Sequence, residues 1–427
     1  MTPRIVTAPR VKPVMQVAAG DADVETGQAL YDDAHYDTLP EATSSGYDAL
    51  WTDDTCDVIE AVTFYGRQRG SNAFDIGTAT LRIQNPDGLW DYPPTSDLTP
   101  LSVRPGRMIR VGVIVDGEPP DWLWTGWIDA TEPAYDPALG VDVVAVSAIC
   151  AKGQAARAEA PSVTTPVGAN EDVTARMTRY ADIALFPTHR RQFEVSGIDL
   201  AGTTLGGRVG LLMDRSAASA AGDIYGDESG NLIYRNMDWE TSSNQADGTI
   251  GNRGLPGEVC PNLWETTFKR SDFASRVHYG RSGESAYTIN DLANQDKYGI
   301  ETFVKNNLET VDTEIIHMIG TRLLRTRNFD LAPLISACVL DAARPGVVDL
   351  LRGASPFLPS VYQCGHVTDD GRTVFARQSI LTGIEHTINA GSWIAKLSLD
   401  DAAPYTEASN AVYDDAYYNT DRYARTG

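Results

Sequence analysis

Between Thr80 and Ala148 the chain runs in short stretches that alternate apolar with polar residues and close on turn chemistry, and this texture constrains the fold more than any other feature. Thr80-Leu81-Arg82-Ile83-Gln84 sets its apolar side chains two residues apart, on one face of a pleated strand, and Asn85-Pro86-Asp87-Gly88 stops it. Met108 to Val115 predicts a second strand, ended by Asp116-Gly117. Trp122 to Asp129 and Val141 to Ala148 predict two more. Several short strands at this spacing describe an antiparallel barrel or sandwich over 51–150.

Downstream the period changes. Val173, Met177, Tyr180 and Ala184 fall at helical spacing, with Glu171 and Asp172 near the positive N-terminal end. A second helix is expected from Arg208 to Ala221, with Val209, Leu212, Met213 and Ala220 on its apolar side and Gly222 as its stop. Ile224-Tyr225 and Leu232 to Arg235 predict a hairpin around the turn Gly226 to Gly230. Residues 240–257 are polar and Gly-rich and are expected to form a loop or linker. Strands return from 258, including Arg276 to Tyr279, and a helix over 308–327 places Val311, Ile315, Met318, Ile319 and Leu323 on one face. Leu334 to Leu340 follows. Val361 to Thr368 then pairs through Asp369-Asp370-Gly371 with Thr373 to Arg377, and Gly383 to Ile388 pairs with Trp393 to Leu399. Two β-rich blocks thus bracket a mixed α/β insert.

The ends read differently. Residues 1–50 and 401–427 lack periodicity and are expected to be extended arms. Tyr31 to Thr38 agrees with Tyr413 to Thr420 at six of eight positions, which fits either arms that dock on similar surfaces or a shared bias toward Asp and Tyr.

At 427 residues the chain exceeds what one hydrophobic core usually serves, so two to four domains are expected. The formal net charge of −23 repels phosphate backbones, which disfavours sequence-specific nucleic-acid binding. Such a surface keeps a protein soluble, and it also suits a passage through which DNA slides without sticking. Cys56, Cys150, Cys260, Cys338 and Cys364 are odd in number and far apart; they are expected to be reduced and buried, and they form no zinc pair. Met1 to Gln16 has no apolar run of signal-peptide length, and nothing later approaches a membrane span, so a soluble chain made in a cytoplasm is expected.

The motifs of common chemistries are missing. The sequence holds no G-x-x-x-x-G-K-[ST], no G-x-S-x-G elbow and no H-E-x-x-H. His366 and His386 both fall in the last β region and could meet in space, although a strand histidine is more often a satisfied structural residue. Asp32-Asp33, Asp53-Asp54, Asp369-Asp370 and Asp414-Asp415 fit solvated turns better than a glycosidase pair. The turn with Asp227, Glu228 and Asn231 could hold a weakly bound cation. Trp122, Trp124 and Trp127 invite a carbohydrate-stacking reading, but Trp122 and Trp124 share a face by period two, which favours core packing. No catalytic, cofactor or metal residue is therefore assigned.

Several of these segments, in their order, carry a resemblance. Trp51 to Val58, Gly66-Arg67, Gly77 to Gly88 with its Asn-Pro-Asp-Gly turn, the Pro105-Gly106 loop and Leu123-Trp124-Thr125-Gly126-Trp127-Ile128 resemble the opening of actinobacteriophage minor tail proteins of the siphovirus type. Asp227 to Leu232, Tyr298-Gly299 and the closing hairpin with Ile384 to Ile388 are similar to the tail-hub pattern. The resemblance implies a mainly β protein with α/β parts: two tail-tube-like antiparallel β-barrel domains, at 51–150 and 258–400, flanking a mixed α/β domain at 151–257. It also implies a non-enzymatic homotrimeric baseplate hub at the virion tail tip, which matches a sixfold tube to a threefold tip and lets genomic DNA pass. The implied partners are the distal tail protein, the tape-measure C-terminus and other minor tail or receptor-binding proteins. A distal tail ring protein, a cell-wall hydrolase and a receptor-binding tip protein are the alternatives.

Overall fold

The computed structural model describes residues 9–18, 58–67, 73–85, 105–236, 246–266, 273–281, 283–327, 335–358, 360–368 and 370–402. The Tyr31 and Tyr413 segments, Cys56 and Asp369 lie outside them.

The first β block comprises β1 (Val11–Val17), β2 (Val58–Gly66), β3 (Thr78–Gln84), β4 (Met108–Val115), β5 (Asp121–Asp136) and β6 (Val141–Ile149). After α1 (Ala151–Ala156) and α2 (Val173–Ile183) come β7 (Arg191–Phe193), α3 (Val209–Ser219) and the hairpin β8 (Asp223–Gly226) with β9 (Leu232–Arg235). The second block opens with β10 (Gly248–Gly251), β11 (Glu258–Val259) and β12 (Leu263–Glu265). An insert follows, made of β13 (Arg276–Arg281), β14 (Tyr287–Asn290), α4 (Leu292–Tyr298), β15 (Thr302–Leu308) and α5 (Thr313–Thr326). The chain then returns to the second block with β16 (Ala337–Asp341), α6 (Val347–Gly353), β17 (Val361–Val367), β18 (Thr373–Asn389) and β19 (Ser392–Asp401).

The expectation of two separate barrels does not hold for the described residues. Both blocks belong to one 13-stranded sheet, ordered β1-β4-β5-β6-β3-β2-β18-β17-β10-β11, with β12-β16-β19 branching from β18. The cause lies in strand length. β18 is 17 residues long and outruns β17, whose pairing with it ends at Ile380, so its distal half presents an open backbone edge and β2 fills it. Inward side chains of both blocks then fall into a single core, from Val11 and Leu81 to Trp393 and Leu399.

Three local expectations also change. Val11–Val17, inside the expected N-terminal arm, is an edge strand antiparallel to β4, because alternation of buried Val11 and Pro13 around exposed Lys12 gives it a core face. Gly248–Gly251, inside the expected loop, pairs in parallel with β17. The helix expected from 308 starts at Thr313, where the Asp312 side chain accepts the Glu314 N–H and caps the first turn; Leu308 instead ends β15.

Within the joined sheet the two blocks repeat one another. The first runs β2-β3-β6-β5-β4, and the second runs β12-β16-β19-β18-β17, which is the same order of first, second, fifth, fourth and third strand. The fourth strand is long in both, at 16 and 17 residues. In both it carries an unpaired residue seven positions before its end, Asp129 in β5 and Thr382 in β18. Its pairing with the third strand ends two residues before that bulge, at Trp127 and at Ile380. The copies differ mainly between their first and second strands, where the second block accommodates the whole β13–α5 insert.

Candidate functional site

The seam between the blocks is a seven-pair antiparallel ladder, from Glu60 opposite Asn389 to Gly66 opposite Gly383. Its narrow end is made of glycine. Gly66 has φ +113°, and a Cβ on it would lie 2.3 Å from Gly383 Cα and 2.4 Å from Thr382 O. Only a residue without a side chain lets the backbones approach so closely at that dihedral. The Arg67 N–H then donates to Thr382 O at 2.8 Å, which carries the seam past the bulge.

Beside the seam, three parts of the chain meet on aromatic side chains. Tyr65 of β2 has its ring 5.9 Å from Trp124 of β5 and 5.1 Å from Phe357 of the second block. Tyr225 of β8 packs on Phe357 at 4.9 Å and on Phe74 at 4.7 Å. The Tyr65 hydroxyl lies 2.8 Å from both Thr125 O and Asp227 O. Burial is the main cause that raises its pKa well above the usual tyrosine range, so it stays a neutral donor.

A buried carboxylate ties the insert to the α/β part. Glu309, just after β15, holds Arg176 of α2 at 3.2 Å and Arg215 of α3 at 2.5 Å, and it accepts a hydrogen bond from the Ser216 hydroxyl at 2.6 Å. Arg176 is fully buried, and Glu171 at 3.1 Å and Ala201 O at 2.7 Å take up its remaining donors. The backbone agrees with the side chains: the Ala201 N–H donates to Glu309 O at 2.6 Å, and the Glu309 N–H donates to Ser219 Oγ at 2.8 Å. Sequence reading missed this clamp because Glu309 lies 93 to 138 residues from Glu171, Arg176, Arg215 and Ser216, and each alone is an ordinary polar or charged residue.

The residues singled out by sequence take other roles. The Asp227 carboxylate is occupied within its own turn, accepting from the Asn231 N–H at 2.7 Å, the Ser229 N–H at 3.1 Å and the Asn231 amide at 3.1 Å. Among the described residues no three His, Cys, Asp or Glu side chains group as a metal ion requires. His366 and His386 do not meet. His366 pairs with Phe375 on β18, and His386 lies eleven residues further along that strand, roughly 35 Å away at ~3.3 Å per residue. The Trp393 indole N–H donates to His386 Nδ1 at 3.1 Å, which makes that ring a buried structural acceptor. Cys150, Cys338 and Cys364 are free and buried, but Cys260 is exposed, contrary to expectation, because it follows the two-residue strand β11 at the sheet margin.

The tryptophans do not share a face as period two implied. Leu123 is a bulge residue, since Trp124 stands opposite Val111 and Trp122 opposite Gly112. The phase is reversed there. Trp124 enters the core, while Trp122 lies on the other face, capped by the Arg110 guanidinium 4.0 Å from its ring. Trp127 belongs to the α/β core, with its ring 5.6 Å from Phe186.

This arrangement has relatives of known structure. The chain has the fold of two tail proteins, one of them from a prophage. A tail protein from Neisseria meningitidis MC58 matches with a TM-score of 0.56 over 92% of this chain and 97% of its own, at 12% identity. The prophage MuSo2 43 kDa tail protein from Shewanella oneidensis matches with a TM-score of 0.53 over 92% of this chain and 99% of its own, also at 12% identity. No protein-family model and no curated protein sequence matches the chain. At such identity the likeness establishes a shared architecture, and the functional reading rests on what that architecture builds.

Proposed function

We propose that the chain is a structural baseplate hub subunit at the tip of a siphophage-type tail, acting as a homotrimer without catalysis. The observation that carries this reading is the repeated β block, joined edge to edge within one chain of tail-protein fold. Three chains with two like blocks each present six similar units around an axis, which lets a threefold tip meet a sixfold tube. In this role the protein closes or continues the tube and anchors receptor-binding or other minor tail proteins. It also meets the distal tail protein and the tape-measure C-terminus and opens for DNA in transit. The net charge of −23 suits such a passage, since it offers few basic contacts to a moving phosphate backbone.

The test is the mass of the purified chain by light scattering, with negative-stain class averages of the same sample. Three chains and threefold rings are expected. A six-chain ring points to a distal tail protein instead. A monomer that releases soluble fragments from host cell walls overturns the structural reading in favour of a wall hydrolase.

A further inference from the structure

The repeat makes one edge of each block comparable, and the two edges have different surroundings. In the second block the distal half of the long strand, Gly383 to Asn389, is covered by β2. In the first block the equivalent half, Ala130 to Asp136, pairs with β6 on one side and with no strand on the other among the described residues. The side chains record the difference. Ile388 in the covered half is 0% exposed, and Tyr135, at the equivalent position of β5, is 63% exposed. The complementary element is also open: β12 corresponds to β2, pairs among the described residues with β16 on one side only, and leaves Leu263 54% exposed.

We infer that the distal edge of β5 receives β12 of a second copy of this chain, so that the seam built inside the molecule is repeated between molecules. The occupant follows from the internal junction, which shows what this edge accepts: the first strand of the other kind of block, antiparallel. The register follows as well. Carrying each ladder across strand by strand makes Glu60, Ala61 and Val62 equivalent to Leu263, Trp264 and Glu265. The same step makes Asn389, Ile388 and Thr387 equivalent to Asp136, Tyr135 and Ala134. Leu263 of one copy therefore faces Asp136 of the next, Trp264 faces Tyr135, and Glu265 faces Ala134.

The sequence limits this ladder to a length that β12 can fill. Pro133 has no N–H to offer, and a proline inside a strand is tolerated with its nitrogen toward an open edge. Pairing beyond Ala134 thus stops, leaving Ala134, Tyr135 and Asp136 against the three residues of β12. In the free molecule the same proline guards the edge against unspecific strand addition. Each copy carries one edge of each kind, so the contact is head to tail and closes into a ring if the rotation permits.

This inference rests on the proposed function only for the number of copies in the ring. Its test is photo-crosslinking of the full chain with p-benzoylphenylalanine in place of Tyr135, in a mixture of isotopically light and heavy protein. The expected product is a mixed light–heavy crosslink to the peptide containing Leu263 to Glu265. It should disappear in a Leu263→Pro, Glu265→Pro variant, and a Tyr135→Asp variant should lose its assembled mass while keeping the circular dichroism of the parent. Crosslinks to another surface within a three-chain particle overturn the junction and leave the ring standing. The expected crosslink in an open filament or a two-chain particle keeps the junction and removes the threefold ring. A complete lack of interchain product overturns the junction.

Discussion

Replacing Gly66 by alanine tests whether the seam holds the two blocks by close backbone contact. Two costs add at this position. A side chain at φ +113° is strained by about 1–3 kcal/mol, and a Cβ forced to within 2.4 Å of backbone atoms adds overpacking of about 1–3 kcal/mol, because Gly383 Cα and Thr382 O cannot rotate away. The sum is about 4 kcal/mol, a large part of the stability of an ordinary domain. Gly117→Ala is the matched control: its φ is +81° and nothing lies within 4 Å of the added Cβ, so it carries the conformational cost alone. Urea unfolding followed by tryptophan fluorescence suits the measurement, since Trp124 and Trp393 are fully buried in the shared core and report its loss. The expected result is that Gly66→Ala is less stable than Gly117→Ala by about 2 kcal/mol or more, with β2 and β18 amides exchanging first. Equal losses for the two variants would show that the seam tolerates a wider separation, and the argument from close approach would fail.

Two further outcomes follow from the buried charges and the buried imidazole. Glu309→Gln keeps the shape but removes the charge shared by Arg176 and Arg215; we expect a loss of about 2–3 kcal/mol, below the full cost of breaking a buried pair because Arg215 is partly exposed and Arg176 keeps Glu171. Hydrogen exchange should accelerate over Leu308 to Thr326, and a loss below about 1 kcal/mol with unchanged exchange would remove the clamp from the account. Desolvation lowers the pKa of His386 to about 3, so as the pH falls from 6.5 toward 3 the unfolded chain binds a proton that the folded chain refuses. Its contribution is complete above pH 6.5 and is lost on acidification at up to about 1.4 kcal/mol per pH unit, and His386→Gln should flatten the stability curve in that window. Parallel curves for the two proteins would contradict the assignment.

What was legible in the sequence follows from the range of the forces involved. Alternation located most strands, since period two depends on neighbours that the chain itself supplies, and helix periodicity located α2, α3 and α5, the last with a start set too early. Partner choice was not legible. Nothing near Val58–Gly66 or Gly383–Asn389 states that these segments pair, and the choice depends on β18 outrunning β17 by half its length. The bulge at Leu123 escaped for a related reason: it shifts the side-chain phase by one residue without altering the composition of β5. The repeat escaped because its copies share strand order, length and bulge position while keeping different residues. Tyr135 and Ile388 occupy one position of the pattern, and so do Pro133 and His386.

Those differences indicate how the two seams divide the work. The internal ladder has seven pairs, glycines that allow close approach, and an aromatic cluster beside it, so it is the stronger contact and should form with the fold. The inferred ladder between copies has three pairs and ends at Pro133. Its aromatic contact, Trp264 with Tyr135, replaces the Ala61 and Ile388 pair of the inner seam. A contact of that size costs little to leave open in a free chain, and it gains strength when other contacts raise the local concentration of copies. If the inferred junction holds, the inner seam forms with the fold and the ring closes afterwards, as folded copies meet. That order of events leaves the two open edges to be filled by like copies, which is what the crosslinking of the purified chain reads.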